Sequence, residues 1–346
     1  STWRTIGAAM PSAMTPTQKT HAYVPLIIEE LKAAGVRDSG IKIIGGVGCH
    51  RPMLNVDFRR KVGDWVVDNY ECVTHNPYDH TVYVGTTARG IKVEVNDEFA
   101  EADVKIVAGG LIPHGQAGFG GGAKLVLPGV SSIDTITAHH SAKWQGQGRC
   151  LVDGNEFRDE LEQIARVAGL DIIVNCVMNA SLGVIGLFAG DVVAAHRAAV
   201  KCAEEAYTVR PPTGVDVAVV TGFPQDSEFG QSLKGMHKCP STVRSGGTVL
   251  FLSAGTEGPG FHYLSERARK RSRHEALKSP PSPAGDDRHL IVYCPTVGPN
   301  EVRRRVPSTA SFHKRLDDAL AELTERHPSA TANVFPQGAM TIIAGG

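Results

Sequence analysis

The sequence predicts an α/β protein: two α/β domains with largely parallel sheets and a cleft between them. Three observations carry that reading. Apolar runs of strand length alternate with amphipathic helical stretches along nearly the whole chain, as in parallel sheets joined by crossover helices. The stretch "TVRPPTG" (208–214), with two prolines and a glycine, interrupts the alternation, and the pattern then restarts. The 346 residues, 42% of them apolar, are enough for two cores of ordinary size. The expected division is 1–208 and 213–334, with the tail 335–346 returning to the first domain.

In order, "THAYVPLIIEELKAAGV" reads as a helix with Thr20 as N-cap and Gly35 as its stop. "IKIIGGVG" (41–48) is a short buried strand, and 57–70 looks helical. "IKVEVN" (91–96) alternates like a half-buried strand, and "DVKIVAGG" (103–110) is a buried one. Ser131 or Ser132 caps a helix through "IDTITAHHS"; Asn155 and Gly169 bracket another over 155–169. "LDIIVNCVM" and "SLGVIGLFAG" are strands, followed by an alanine-rich helix over 191–207. Beyond the linker, "VDVAVVTG" is a strand, "SEFGQSLKGMHK" a helix and "GGTVLFLSAG" a strand. "HYLSERARKRSRHEALK" reads as a basic solvated helix, followed by a loop over 279–287. "RHLIVYC" is a strand, "ASFHKRLDDALAELTERH" a helix and "TANVFP" a last strand.

Lys+Arg and Asp+Glu each total 36, a balance that favours neither nucleic acid nor an anionic membrane as partner. No apolar run reaches the length of a membrane span, and the first residues lack the apolar core of a secretory signal. Seven scattered cysteines without a C-x-x-C pair suit reduced thiols in a cytoplasm.

The segment "IPHGQAGFGGGAKLVLPG" (112–129) is where chemistry is expected. A phosphate-binding P-loop needs Ser or Thr after its lysine, but Leu125 follows Lys124. A dinucleotide fingerprint belongs on the first strand–helix turn, and "GFGGGA" comes too late for that. A surface turn with a solvated lysine is the plain alternative, against which the apolar flank "LVLPG" argues. A lysine among glycines and aliphatics is desolvated, and its free amine can form a covalent bond. His50 and His114 each follow a buried strand, and His139 and His140 end a short helix. Loops after parallel strands converge on one site, where imidazoles can give or take protons near neutrality. Cys49 reads as small buried filler.

"CHRPM", "GTTARG", "PHGQAGFGGGAKLVLPG", "TITAHHS" and "GFPQDSEFGQSLKG" resemble the LarA family, the nickel-pincer-nucleotide lactate racemases and their homologues. The resemblance runs from about Thr20 to the C-terminus and is densest over 41–145. It implies that Lys124 anchors the cofactor covalently, a pyridinium-3-thioamide-5-thiocarboxylic acid mononucleotide holding nickel. Gly120, Gly121 and Gly122 would close around that flat group. It implies His140, sixteen residues after the lysine, as the nickel ligand, with His139 as the fallback. His50 and His114 match the acid/base pair; Gln231 and Lys234 match substrate-binding residues. The implied reaction is racemisation or epimerisation of a 2-hydroxy acid by proton-coupled hydride transfer. The implied partners are a small-molecule hydroxy acid and the cofactor-making enzymes, whose co-expression loading requires; a homo-oligomer stays open.

Two family features differ. The family's Asp-x-Thr-Arg-Pro motif reads "SAMTPTQKTH", with Lys19 the only cation between Thr5 and Thr20. The tyrosine of Tyr-Gln-x-x-Lys is Gly230. A lone lysine does not replace an arginine–carboxylate fork, and glycine for tyrosine is expected to open volume. A substrate bulkier than lactate, a sugar acid or aryl-hydroxy acid, is therefore expected. The family's N-terminal strands are expected to be missing from the sequence given. Two other readings stay open: a non-catalytic cofactor- or nickel-binding homologue, and an oxidoreductase that releases the 2-oxo product.

Overall fold

A computed structural model describes residues 5–11, 19–264, 282–285 and 287–345. The chain divides into two compact units. The first comprises residues 1–206 with the short segment His262–Leu264, and the second comprises 207–261 with 265–346.

The strands of the first unit are β1 (Thr5–Pro11), β2 (Ile41–Gly46), β3 (Glu71–Thr74), β4 (Thr81–Thr86), β5 (Lys92–Asn96), β6 (Val104–Gly110), β7 (Pro113–His114), β8 (Ala117–Phe119), β9 (Gly148–Arg149), β10 (Ile172–Met178) and β11 (Val184–Gly190). Its helices are α1 (Thr20–Ala33), α2 (Asn55–Val62), α3 (Asp64–Asn69), α4 (Asp97–Glu101), α5 (Ile133–Ser141), α6 (Glu156–Val167) and α7 (Ala194–Tyr207). Six strands form one sheet in the order β11-β10-β6-β1-β2-β3. Every neighbouring pair is parallel except β10–β11. β1, which the sequence reading passed over, lies at the centre between β2 and β6. From the boundary between β1 and β6 the chain runs outward in opposite directions, β1 to β2 and β3 on one side and β6 to β10 and β11 on the other. The C-terminal ends of the strands at such a switch point form the ligand crevice of an open α/β sheet. The loops after β2 and β6 carry His50 and His114.

Apolar residues explain this arrangement. Ile44, Val107 and Ile173 are buried in one cluster with Phe157, Leu161 and Ile164 of α6. Ala123, Leu125, Val126 and Leu127 belong to the same cluster, so the segment around Lys124 is core rather than surface turn. Short β7–β8–β9 and β4–β5 ladders flank the main sheet.

The second unit is a five-stranded parallel sheet in the order β16-β15-β14-β13-β17. Its strands are β13 (Val215–Thr221), β14 (Val243–Leu252), β15 (His289–Tyr293), β16 (Ser311–His313) and β17 (Ala332–Phe335). Val220, Phe251 and Val292 lie in one core cluster; Leu250 and Ile291 lie in a second with Ala319. β12 (Thr208–Val209) and β18 (Ile342–Ile343) form a small parallel pair. Part of the supposed linker is thus a strand, and the tail expected to return to the first domain pairs here instead.

Several local expectations are corrected. Thr20 is not the N-cap of α1; Lys19, at φ 51°, holds that position, and the Thr20 hydroxyl donates to the Lys61 carbonyl. Helix 57–70 breaks at Gly63, φ 90°, into α2 and α3. "SEFGQSLKGMHK" forms only a four-residue helix, Phe229–Ser232, followed by a tight 3-10 turn, Leu233–Met236. In "ASFHKRLDDALAELTERH" the helix is Leu316–Arg326, and Ser311–His313 is β16, an edge strand too short to show a period. Ser132, not Ser131, caps α5, and Asn155 caps α6; each side chain accepts from a backbone N–H three residues on. Most of the expected basic helix, and part of the loop over 279–287, lies outside the described residues.

Candidate functional site

His50 stands on a turn closed by its own N–H to the Val47 carbonyl, 2.9 Å. That turn lies against the far end of the lysine segment. The Gly48 N–H donates to Gly129 O at 3.0 Å, and a Cβ on Gly48 would lie 2.8 Å from Pro128 Cβ. Gly48 has φ +53°, so the close approach and the left-handed backbone both call for glycine here.

Lys124 is half-buried in a 3-10 turn, Gly122–Leu125, between buried Ala123 and Leu125. The backbone leading into it is held from below. Arg158 of α6, fully buried, donates through Nε to Ala117 O at 3.1 Å and through Nη2 to Phe119 O. His196 of α7 bonds Gly120 O through Nε2 at 3.0 Å. Asn175 of β10 accepts the Gly122 N–H at 2.9 Å. Burial lowers Arg158 to about 10, and burial with the Arg158 charge holds His196 well below its ordinary range.

The glycines serve this inner face. A Cβ on Gly121 would lie 2.5 Å from Asn175 Oδ1, and one on Gly122 would lie 3.1 Å from His196 Cδ2. Gly120 has ordinary room, its nearest neighbour at 3.6 Å. Protein packing and positive φ already call for glycine at 121 and 122.

His114 opens the hairpin that precedes the loop. Its Nδ1 accepts from the N–H groups of Gln116 and Ala117, at 3.3 and 3.2 Å, which leaves Nε2 to carry the ring proton. His139 and His140 part ways. His139 is fully buried, bonded through Nε2 to Phe157 O at 3.2 Å, and stacked near Trp144 and Phe157. His140 is half-buried and bonds Ile136 O through Nδ1 at 2.9 Å, so its Nε2 bears the lone pair. Burial, then the Lys124 charge, lowers His140 to about 4. His139 falls to about 3, from burial first, then His140. Burial pushes the Cys49 thiol up to about 12, against the opposing pull of Lys124. One ammonium thus acts on Cys49, His139 and His140, which brings the His50 turn, the lysine turn and the end of α5 to one place.

A residue absent from the sequence reading also stands there. The His262 ring meets the His50 ring edge-on, centroids 4.9 Å apart, and its charge acts on His140. Its neighbour Tyr263 donates its N–H to Cys49 O at 3.1 Å and packs edge-on to Tyr78. Nothing local in "GFHYLSE" signals this. Arg158 and Asn175 did leave a signal: a charge on the apolar face of α6 and an amide inside an apolar strand.

Gln231 and Lys234 lie in the second unit, on the short helix and 3-10 turn that follow β13. Beside them, the volume expected from Gly230 is filled. A Cβ there would lie 3.2 Å from Arg305 Nε and from Pro259 O, and Arg305 donates to Pro259 O at 3.1 Å. Arg305 also pairs with Glu301 Oε2 at 3.1 Å.

Among the described residues no three His, Cys, Asp or Glu side chains gather as a metal site. No described helix is long and apolar enough to cross a membrane.

Fold and site define an α/β protein of two units with largely parallel sheets, the first of which carries a half-buried lysine turn with His139 and His140 beside it. Residues 8–149 match the lactate racemase N-terminal domain. The chain is similar to the lactate racemase of Lactiplantibacillus plantarum, 29% identical over 94% of this chain and 81% of that one. It is also similar to that of Thermoanaerobacterium thermosaccharolyticum, 28% identical over 68% of this chain and 57% of that one. The structure of the latter's lactate racemase apoprotein shares the fold at a TM-score of 0.75 and 23% identity, covering 98% of this chain and 86% of that chain. A protein from Thermotoga maritima shares the fold at 0.73 and 17% identity, covering 99% and 94%. The N-terminal part of the chain thus matches the lactate racemase N-terminal domain, and the chain as a whole is similar to lactate racemases.

Proposed function

We propose that the protein is a 2-hydroxy-acid racemase or epimerase that works with a nickel-pincer nucleotide tethered at Lys124. The observation that carries this is the meeting of Lys124, His140 and the His50 turn at the C-terminal edge of the first sheet. The residues fit the group. Lys124 offers an amine on a rigid turn, His140 offers a lone-pair Nε2 oriented by Ile136, and the Asn175 Nδ2 beneath the loop is a buried donor without a partner among the described residues. His140 is preferred over His139, whose Nε2 is already engaged in the core. When bound, the nucleotide and its nickel supply reversible hydride acceptance at the substrate C2.

The chain's residues manage the proton. His50 and His114 are assigned the proton of the substrate hydroxyl by the motif they match: one would take it as the C2 hydrogen leaves, and the other would serve the opposite face. In its neutral form His114 is a donor at Nε2, since two amide N–H groups hold its Nδ1 as an acceptor. Gln231 and Lys234 are assigned to substrate by the motif they match. The absent arginine motif keeps lactate from being the expected substrate; Gly230 no longer supports that, because Arg305 fills its space.

The test is co-expression with the cofactor-making enzymes, then intact and peptide mass, nickel content, and a panel of lactate, malate, phenyllactate and gluconate followed by chiral analysis. Inversion of one acid with a nucleotide mass on Lys124 supports the proposal. Net release of 2-oxo acid marks an oxidoreductase. A loaded protein inert to the whole panel marks a cofactor or nickel carrier. A mass adduct that persists in Lys124→Ala refutes the anchor.

A further inference from the structure

We propose that Asn175 is the positioning residue of Lys124: its side-chain amide fixes the turn from which the lysine projects. This rests on the reading of Lys124 as cofactor anchor. Asn175 sits inside β10, fully buried among Ile173, Val174, Cys176 and Val177. A primary amide in such a strand is costly unless its hydrogen bonds are made. One is made: Oδ1 accepts the N–H of Gly122, two residues before Lys124. The other is not: among the described residues the buried Nδ2 has no partner. Rotating the amide gives no relief, because Nδ2 would then face the Gly122 N–H, donor against donor. A leucine would spare the stranded Nδ2 but would strand the buried Gly122 N–H instead, so the amide is explained by that one bond and not by packing.

The loop is shaped to this oxygen. Gly121, at φ +69°, leaves Oδ1 the space that a Cβ would take, 2.5 Å away. Gly122, at φ +53°, turns its N–H down to the same atom, and the 3-10 turn bearing Lys124 begins at Gly122. The Lys124 N–H in turn bonds Gly121 O at 3.2 Å. One side chain therefore sets two left-handed residues in succession, and with them the direction of the lysine.

The experiment uses the full chain without cofactor. Asn175→Leu removes both amide functions; Asn175→Asp keeps the acceptor. Two quantities are read: hydrogen exchange at Gly122, and the acetylation rate of Lys124 relative to exposed Lys201 under limiting reagent, by peptide mass. In Asn175→Leu, Gly122 is expected to exchange about tenfold faster, as loss of one hydrogen bond implies, and Lys124 reactivity to change about threefold or more. Asn175→Asp is expected to restore Gly122 protection. Unchanged exchange and reactivity in Asn175→Leu would overturn the proposal, as would faster exchange spread evenly along β10. Should that variant fail to fold, Asn175→Val, which also removes both amide functions and suits a strand, carries the same readings. If co-expressed unsubstituted protein carries no nucleotide on Lys124, the cofactor reading falls, and the reactivity comparison still decides the role of Asn175.

Discussion

Three of the site's candidate histidines have their chemistry set by what one ring nitrogen does. Ile136 takes the Nδ1 of His140, two amides occupy the Nδ1 of His114, and Phe157 takes the Nε2 of His139. Three imidazoles of like sequence character thus become a ligand candidate, a neutral donor and a core residue. His140→Ala is expected to abolish nickel retention in co-expressed protein while leaving the nucleotide mass on Lys124; His139→Ala is expected to lower Tm instead. Nickel per chain and intact mass check both. A positioned acid or base contributes ~10²–10⁴ in rate, so His50→Ala or His114→Ala should cost that much in kcat on the best substrate.

At the level of elements, the glycine loop makes a sharp comparison. Gly121→Ala must place a Cβ 2.5 Å from Asn175 Oδ1 at a φ of +69°. Strain of that kind costs about 1–3 kcal/mol, read as a lower Tm. Gly120→Ala meets nothing closer than 3.6 Å and is not at positive φ, so its Tm should hardly move. In the second unit, Glu322 of the helix Leu316–Arg326 ties that helix to β15 and β16. Burial raises its pKa, but bonds from His313, Ser311, Arg326 and His289 outweigh it and bring it down to about 2. A depressed carboxylate stabilises the fold above its unfolded pKa and loses that contribution as pH falls through the folded value. Discounted for solvent screening, the contribution is about 1–2 kcal/mol, present above pH ~4.3 and lost toward pH ~2. Glu322→Gln should lower stability at pH 7, and the gap to the unsubstituted protein should close in acid; urea unfolding across pH measures it.

Across the whole chain, none of the seven cysteines is in a disulfide. Cys49, Cys176, Cys239 and Cys294 are buried; Cys72, Cys150 and Cys202 are partly exposed. Burial raises Cys49 to about 12 and Cys72, Cys150 and Cys176 to about 11. Thiolate is scarce at neutral pH, so labelling of native protein should be slow and confined to the three partly exposed cysteines. The four buried thiols should react on denaturation, as peptide mass would show. Early labelling of Cys49 would place its loop in solvent and undo its packing beside Lys124.

The sequence by itself determined the α/β class, most buried strands, the caps Ser132 and Asn155, and the chemical character of the lysine segment. These depend on near neighbours along the chain, through periodicity, turn residues and capping side chains. Only the tertiary structure decided the rest. The central place of β1, the pairing of β12 with β18 and the three-residue β16 depend on partners far away in sequence. So do His262 beside His50 and Arg305 in the space of Gly230. The glycines at 121 and 122 show the division most plainly: their number was legible at once, but their cause was not. They make room for Asn175 and His196, 54 and 74 residues further on, and a contact that no local pattern encodes exists only once β10 and α7 have packed beneath the loop.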